Sequence, residues 1–201
     1  MNHFSSASSD FQSICARLSE RALPLVALPV EPERIRQAAV TLLLRDADAT
    51  AELLIIKRAE HPGDPWSGHL ALPGGRADLT DAHLIETAAR ETLEEVGISL
   101  NVPESFIGRL ETLAPASPRL PQIEITPLIA LAPPELSLAF SAEVDDAFWM
   151  PVRRLKETGL AAEYHWQLGD LTIRRPAYPS PRGPIWGITE RILTEFFTLL
   201  D

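Results

Sequence analysis

A single cysteine, Cys15, stands in 201 residues. It excludes an intramolecular disulfide and a cysteine-cluster zinc site. Basic charge is also scarce: 18 Lys and Arg against 28 Asp and Glu leave a formal net charge of −10. A long nucleic acid needs a cationic surface to neutralise its phosphates, so this balance argues against such a partner. No apolar run approaches the ~18–20 residues that a membrane-spanning helix needs. The longest candidate, residues 22–30, is broken by Pro24 and Pro29. The start of the chain has no basic stretch, and Asp10 and Glu20 fit poorly with an organelle-targeting peptide. The expectation is a cytoplasmic chain without membrane attachment.

Hydrophobic residues at 45% and charged residues at 23% give the composition of a folded globule. The length, about one and a third times a ~150-residue prior, suggests one domain over residues 1–201. Residues 1–35 read as an N-terminal helix and extension, and 36–201 as a core ending in a helix. The 18 prolines are spread along the chain and mark loops, not a linker. Asp10 is placed to cap a first helix in which Phe11, Ile14, Cys15 and Leu18 follow helical spacing. Strands are expected over 38–44, 53–57, 70–72, 107–113, 123–131 and 148–150, with a turn at Asp46-Ala47-Asp48. A proline-rich loop around Pro115, Pro118 and Pro121 separates two of them. Pro151 should open a short helical turn, and residues 164–168 and 171–174 resemble a hairpin around Gly169-Asp170. The spacing of Ile85, Ala89, Leu93 and Val96 predicts a helix over 84–96 ended by Gly97, and residues 185–200 read as a last helix. Helices at the start, middle and end around scattered strands imply a mixed β-sheet covered on both faces, an α/β class.

The segment richest in chemistry is Arg90-Glu91-Thr92-Leu93-Glu94-Glu95-Val96-Gly97-Ile98. On a helix Glu91, Glu94 and Glu95 are i, i+3 and i+4, so their carboxylates project from one face. Three like charges there destabilise an isolated helix unless a cation occupies the face. Hard oxygen donors of this kind suit Mg²⁺ or Mn²⁺. Arg90 is placed to orient one carboxylate, and Gly74-Gly75 can bring bare backbone, carbonyls included, to the same ion. On spacing alone, a solvated acidic helix face is the simpler explanation of the pattern.

In full context the sequence resembles the Nudix hydrolase family. Its box reads Gly, five residues, Glu, seven residues, then Arg-Glu-U-x-Glu-Glu-x-Gly-U, with U aliphatic. Gly75, Arg90, Glu91, Glu94, Glu95, Gly97 and Ile98 match, and Thr92 holds the first U position. Asp81 stands where the first Glu is expected, and eight residues separate it from Arg90, which puts a metal role for Asp81 in doubt. The resemblance implies an α/β/α Nudix sandwich with a mixed β-sheet between helices. It also implies divalent-ion-assisted hydrolysis of a diphosphate linkage in a nucleoside diphosphate joined to another group. On that basis Gly74, Glu91, Glu94 and Glu95 are the metal candidates, and Glu94, Glu95, Arg90 and Glu143 the catalytic ones. Glu143 is the candidate side-chain base, with Glu111 and Glu124 as weaker alternatives. The resemblance leaves a homodimer open, and no feature marks its interface.

The likeness extends beyond the box to the coenzyme A pyrophosphatase branch. It covers residues 53–58, Leu72-Pro73-Gly74-Gly75, Ile125-Thr126-Pro127-Leu128, and the tail from Ile185 through Leu193. In that tail Trp186 and Ile192 are expected to pack the last helix onto the sheet. The branch typically carries His-x-Gly-Gln before Phe-Pro-Gly-Gly; here Trp66 replaces the histidine and His69 the glutamine. Trp66 is a candidate to stack on a base, and Lys57, Arg58 and Arg76 are candidates to meet phosphates. Coenzyme A, cut to 3′,5′-ADP and 4′-phosphopantetheine, is the leading substrate. ADP-ribose, another dinucleotide or a nucleotide sugar is the enzymatic alternative. A silent nucleotide-binding Nudix domain is the alternative of a different class, and the retention of all three glutamates weighs against it.

Overall fold

The computed structural model describes residues 7–25, 28–30, 36–63, 66–115, 122–168 and 171–201. The first helix, α1 (Ser9–Arg21), starts two residues earlier than expected. Its N-cap is Ser8, whose hydroxyl accepts the Phe11 N–H. Asp10 instead binds the Ala51 N–H at 3.0 Å and Arg153 at 2.8 Å, tying the helix to the sheet. Strands β1 (Arg36–Ala47) and β2 (Thr50–Arg58) form a hairpin whose turn is Asp48-Ala49, overlapping the expected Asp46-Ala47-Asp48 only at Asp48. Both turn residues take positive φ, 49° and 61°, which is the two-residue geometry that matches strand twist.

Beyond Leu44 and Leu53 the hairpin partners separate. Strand β3 (Leu70–Ala71) pairs with β2 at Ile56 and Lys57, and β4 (Gly74–Arg76) pairs with β1 at Ala38 to Val40. The segment between them, Leu72-Pro73, enters this split, and the Pro73 carbonyl accepts the Thr41 N–H at 2.7 Å. Helix α2 (Leu84–Val96) follows, ended by Gly97 at φ 75°. Next come β5 (Phe106–Arg109), β6 (Ile123–Leu131) and β7 (Val144–Pro151). Strand β6 runs parallel to β1, whereas β2 and β4 are antiparallel to it, so the seven-stranded sheet is mixed. The strand expected over 107–113 stops at Arg109, and Leu113 makes only an isolated bridge to Ile125.

Helix α3 (Val152–Thr158) leads to a three-stranded sheet of β8 (Ala162–Leu168), β9 (Leu171–Ser180) and β10 (Gly183–Trp186). The turn around Gly169-Asp170, Pro118 and Pro121 lie outside the described residues. The last helix, α4 (Ile188–Leu199), is shorter than expected, because Ile185 and Trp186 belong to β10 and Gly187 turns the chain at φ 71°. One sheet face carries α1, α3 and α4, with Leu18, Leu42, Leu53, Ile55, Leu155 and Phe196 in its core. The other carries α2, with Leu43, Leu54, Ile56, Leu84, Ala88 and Val96. Helices therefore cover both faces, and burial of the Leu, Ile, Val and Phe side chains among these holds the sandwich together at roughly 1.5–3 kcal/mol each. Among the described residues no helix is long and apolar enough to cross a membrane.

Candidate active site

Helix α2 has the bounds its periodicity implied, but its phase differs. Leu93 was expected on the buried stripe and is 50% exposed, whereas Glu95 is 3% exposed. The inward face is Leu84, Thr87, Ala88, Thr92, Glu95 and Val96. Polar members survive there because each has a partner. The Thr92 hydroxyl donates to the Ala88 carbonyl at 2.7 Å and lies 3.0 Å from that of Thr41. Glu95 accepts the Gly74 N–H at 2.8 Å. The neighbouring Gly75 leaves room for Glu91: a methyl group there would lie 2.5 Å from the Glu91 carboxylate carbon. The two glycines thus let β4 run directly against the acidic helix.

The three glutamates do not share one environment. Glu91 and Glu95 turn inward, while the Glu94 side chain is 57% exposed and held by Arg90 at 3.0 Å. Among the described residues no three acidic, His or Cys side chains stand at metal-ligand spacing. Burial pushes the Glu95 carboxyl up to about 7; Glu91 and Glu143 add to the push, and the Gly74 N–H and Arg58 oppose it. Glu91 is likewise raised by burial, against the pull of Arg90. Arg58 offers only a long contact to Glu95, 4.0 Å from Nη1 to Oε1. A buried Glu95 beside a half-buried Glu91, with Arg58 no nearer than 4.0 Å to Glu95, gives hard oxygen donors of the type that could hold a divalent cation.

Arg90 is a brace for this cluster. It binds Asp81 through Nε at 3.1 Å and Nη2 at 2.9 Å, Glu91 through Nη1 at 2.9 Å, and the Arg76 carbonyl at 3.0 Å. Asp81, buried at 7% exposure, also accepts from the Thr87 hydroxyl and the Asp78 N–H. These bonds, the Arg90 contact foremost, hold its carboxyl below the usual range. Asp81 is therefore committed to Arg90, and Arg90 orients Glu91 and Glu94.

Glu143 reaches the site because its segment is laced to the end of α2. The Ala139 N–H binds the Val96 carbonyl and the Ser141 N–H the Glu95 carbonyl, while the Ala59 N–H binds the Glu143 carbonyl. Its side chain is exposed, and its charge is felt at both Glu91 and Glu95. Glu111 and Glu124 are exposed on or beside other strands, and the Glu111 N–H is taken by Glu195.

Among the expected phosphate contacts, Arg58 stands by Glu95, and the Arg76 side chain is exposed. Lys57 is paired with Asp145 at 2.6 Å, an exposed contact that raises its pKa. Trp66 is half-buried, and its carbonyl accepts the His69 N–H. Trp186, expected to pack α4 onto the sheet, belongs to β10 and stacks on Tyr164 with His69 against it. Ile192 is buried as expected. The Tyr164 contact escaped the sequence because the two residues lie on different strands, with no motif linking them.

Comparison with known proteins agrees with this geometry. The NUDIX domain profile matches residues 35–170. The Nudix hydrolase NudL of Enterobacter sp. (strain 638) is 35% identical over 168 residues, 80% of each chain. The mitochondrial coenzyme A diphosphatase NUDT8 of Homo sapiens is 29% identical over 166 residues, covering 81% of this chain and 68% of that protein. A longer Schizosaccharomyces pombe protein is 42% identical over 108 residues, which is 51% of this chain but only 32% of its own. The crystal structure of a MutT/nudix family protein from Enterococcus faecalis shares the fold at TM-score 0.59 and 20% identity, over 96% of this chain and 74% of that one. The box on α2, its glycine-backed carboxylates and the profile match together show that the chain belongs to the Nudix family of pyrophosphatase hydrolases and resembles its coenzyme A branch.

Proposed function

We propose that this chain hydrolyses the diphosphate linkage of coenzyme A or a coenzyme A derivative, releasing 3′,5′-ADP and 4′-phosphopantetheine. The observation that carries the reading is the buried Glu95 carboxylate beside Glu91, backed by Gly74 and Gly75 and faced by Arg58. Nudix hydrolases are generally divalent-metal dependent, and Mg²⁺ or Mn²⁺ is the ion proposed for this chain. Glu91, Glu95 and the Gly74 carbonyl would hold it, with Glu94 at the rim. When bound, such ions neutralise diphosphate charge and polarise water.

The chain's own residues supply the rest. Arg58, Lys57 and Arg76 meet the phosphates of the substrate. Glu143, exposed to solvent beside Glu91 and Glu95, accepts a proton from the attacking water. Arg90 is a positioning residue, since it touches the carboxylates and not the substrate. The coenzyme A assignment is supported by the likeness to the human diphosphatase.

The test is a panel of nucleoside diphosphate derivatives assayed with Mg²⁺ and with Mn²⁺, products resolved by mass. Coenzyme A carries a 3′-phosphate that its dephospho form lacks. A charge-assisted contact is worth about 1.5–3 kcal/mol, or roughly one to two decades. Coenzyme A should therefore be cleaved at least about tenfold more efficiently, by kcat/KM, than the dephospho form. Trp66 and His69 depart from the pattern of the coenzyme A branch, so ADP-ribose, another dinucleotide or a nucleotide sugar is the second reading. A clear preference for ADP-ribose, or equal rates with both coenzyme A forms, would overturn the coenzyme A reading and leave the diphosphate hydrolysis standing.

A further inference from the structure

Four ring-bearing side chains gather outside the hydrophobic core at the border of the acidic site. In the small sheet Tyr164 pairs with Arg175, Trp166 with Ile173, and Ala177 with both Ala162 and Trp186. Directly paired residues share a face, so Tyr164, Trp166, Ile173, Arg175 and Trp186 stand on one side. Tyr164 and Trp186 stack in parallel, 3.9 Å between centroids and 8° between planes. His69 sits edge-on to both, at 5.9 and 4.8 Å.

This group does not serve the core. None of His69, Tyr164, Trp166 and Trp186 is a member of the described core clusters, and all four are only half-buried. Along β8, residues 162–167 alternate between half-buried and exposed, with none fully covered. The face is continuous with the acidic site: the His69 carbonyl accepts the Arg58 N–H at 3.0 Å, and the Arg58 side chain points at Glu95. Arg175 is exposed and, among the described residues, makes no ion pair, whereas Arg174 on the opposite face lies 3.7 Å from Glu163. Stacked aromatic surface beside an uncommitted guanidinium is the chemistry that recognises a planar base carrying a phosphate.

We infer that this face binds the purine nucleotide half of the substrate, the base against the Tyr164–Trp186 pair and the ribose phosphate at Arg175. The inference rests on the diphosphate-hydrolase reading for the position of the scissile bond. A pantetheine arm offers neither a ring to stack nor a charge for Arg175, so it is assigned away from this face.

Binding is read without turnover, by titrating tryptophan fluorescence in the presence of chelator with 3′,5′-ADP, 5′-AMP or 4′-phosphopantetheine. The expected result is saturable quenching by 3′,5′-ADP. Tyr164→Ala should weaken it at least about tenfold, equivalent to about 1.4 kcal/mol, and Tyr164→Phe should retain the affinity. Arg175→Gln should remove the preference for 3′,5′-ADP over 5′-AMP. Because Arg175 is exposed, that variant carries the test if Tyr164→Ala fails to fold. Absence of 3′,5′-ADP binding to the unsubstituted chain would overturn the inference. So would unchanged 3′,5′-ADP affinity in folded Tyr164→Ala, or a loss confined to 4′-phosphopantetheine. Cleavage of diphosphate substrates with divalent ions is followed separately. Its absence fails the hydrolase reading, while cleavage alongside any of those results fails only the aromatic face.

Discussion

A methyl group on Gly75 would meet the end of the Glu91 side chain, whereas one on Gly74 would meet the backbone of Ala39 and Val40. Gly74 also takes φ 146°, a conformation hostile to any other residue. Gly75→Ala should therefore fold normally and displace Glu91, lowering kcat/KM at least about tenfold. Gly74→Ala should cost about 3 kcal/mol or more of stability, because backbone cannot step aside. Denaturant unfolding and steady-state kinetics on both variants separate the two effects. Asp81 gives a second residue-scale outcome. Its carboxyl is held low by Arg90, so the stability it adds is present above the ordinary aspartate pKa near ~3.9 and is lost as pH falls through the folded value. Asp81→Asn should thus destabilise by about 1.5–3 kcal/mol at pH 7, with the gap from the unsubstituted chain narrowing in urea titrations as pH falls below the ordinary aspartate range. The shared helix face of the box glutamates was legible from their i, i+3 and i+4 spacing, but the burial of Glu95 and the exposure of Glu94 were not. Nor was the part played by Asp81. Its spacing to Arg90 departs from the family pattern, and only the folded loop shows both carboxylate oxygens on the guanidinium.

Helix α2 shows what periodicity reveals at the scale of an element and what it hides. Its ends were readable from Gly97 and the apolar spacing, but an apolar-stripe rule cannot foresee a helix that buries Thr92 and Glu95 and exposes Leu93. The reason lies on another strand: Thr41, fully buried on β1, lies within hydrogen-bond distance of the Thr92 hydroxyl, and β4 supplies the N–H for Glu95. The same locality explains the shifted cap of α1, since Asp10 was drawn off by Ala51 and Arg153. Thr92→Val keeps shape but strips the Thr41 hydroxyl of its 3.0 Å partner, leaving a contact of 3.4 Å to the Ala88 carbonyl. Loss of roughly 1–2 kcal/mol is expected. Thr41→Val combined with Thr92→Val removes both hydroxyls and should recover most of that loss. A double-mutant cycle by urea unfolding measures the coupling, and strict additivity would show that the two hydroxyls do not act as a pair.

Across the whole molecule, the sandwich class was legible because strand and helix signals alternate along the chain, while the partner of each strand was not. Nothing local announces that β1 changes partner from β2 to β4, yet that split admits Gly74 and Gly75 to the face of α2. Strand β10 was hidden because Ile185 and Trp186 continue the apolar spacing of the last helix until Gly187 breaks it. The resulting fold buries Glu95 beside Glu91 in a chain of net charge −10, so the acidic cluster opposes folding in the absence of a cation. A divalent ion that binds only the folded chain stabilises it by mass action, by about 2.7 kcal/mol at one hundred times its Kd. For a chain of this size that is a rise in Tm of roughly 5–10 °C. Mg²⁺ or Mn²⁺ should produce such a rise in chelator-stripped protein, and K⁺ at equal ionic strength should not. Glu95→Gln keeps the size and the helix but removes one charge, so the divalent rise should fall by at least about half while the fold persists. Turnover in that variant should drop by about two orders of magnitude or more. An undiminished rise in Glu95→Gln would mean that the ion binds elsewhere on the acidic surface and that the buried carboxylate does not hold it.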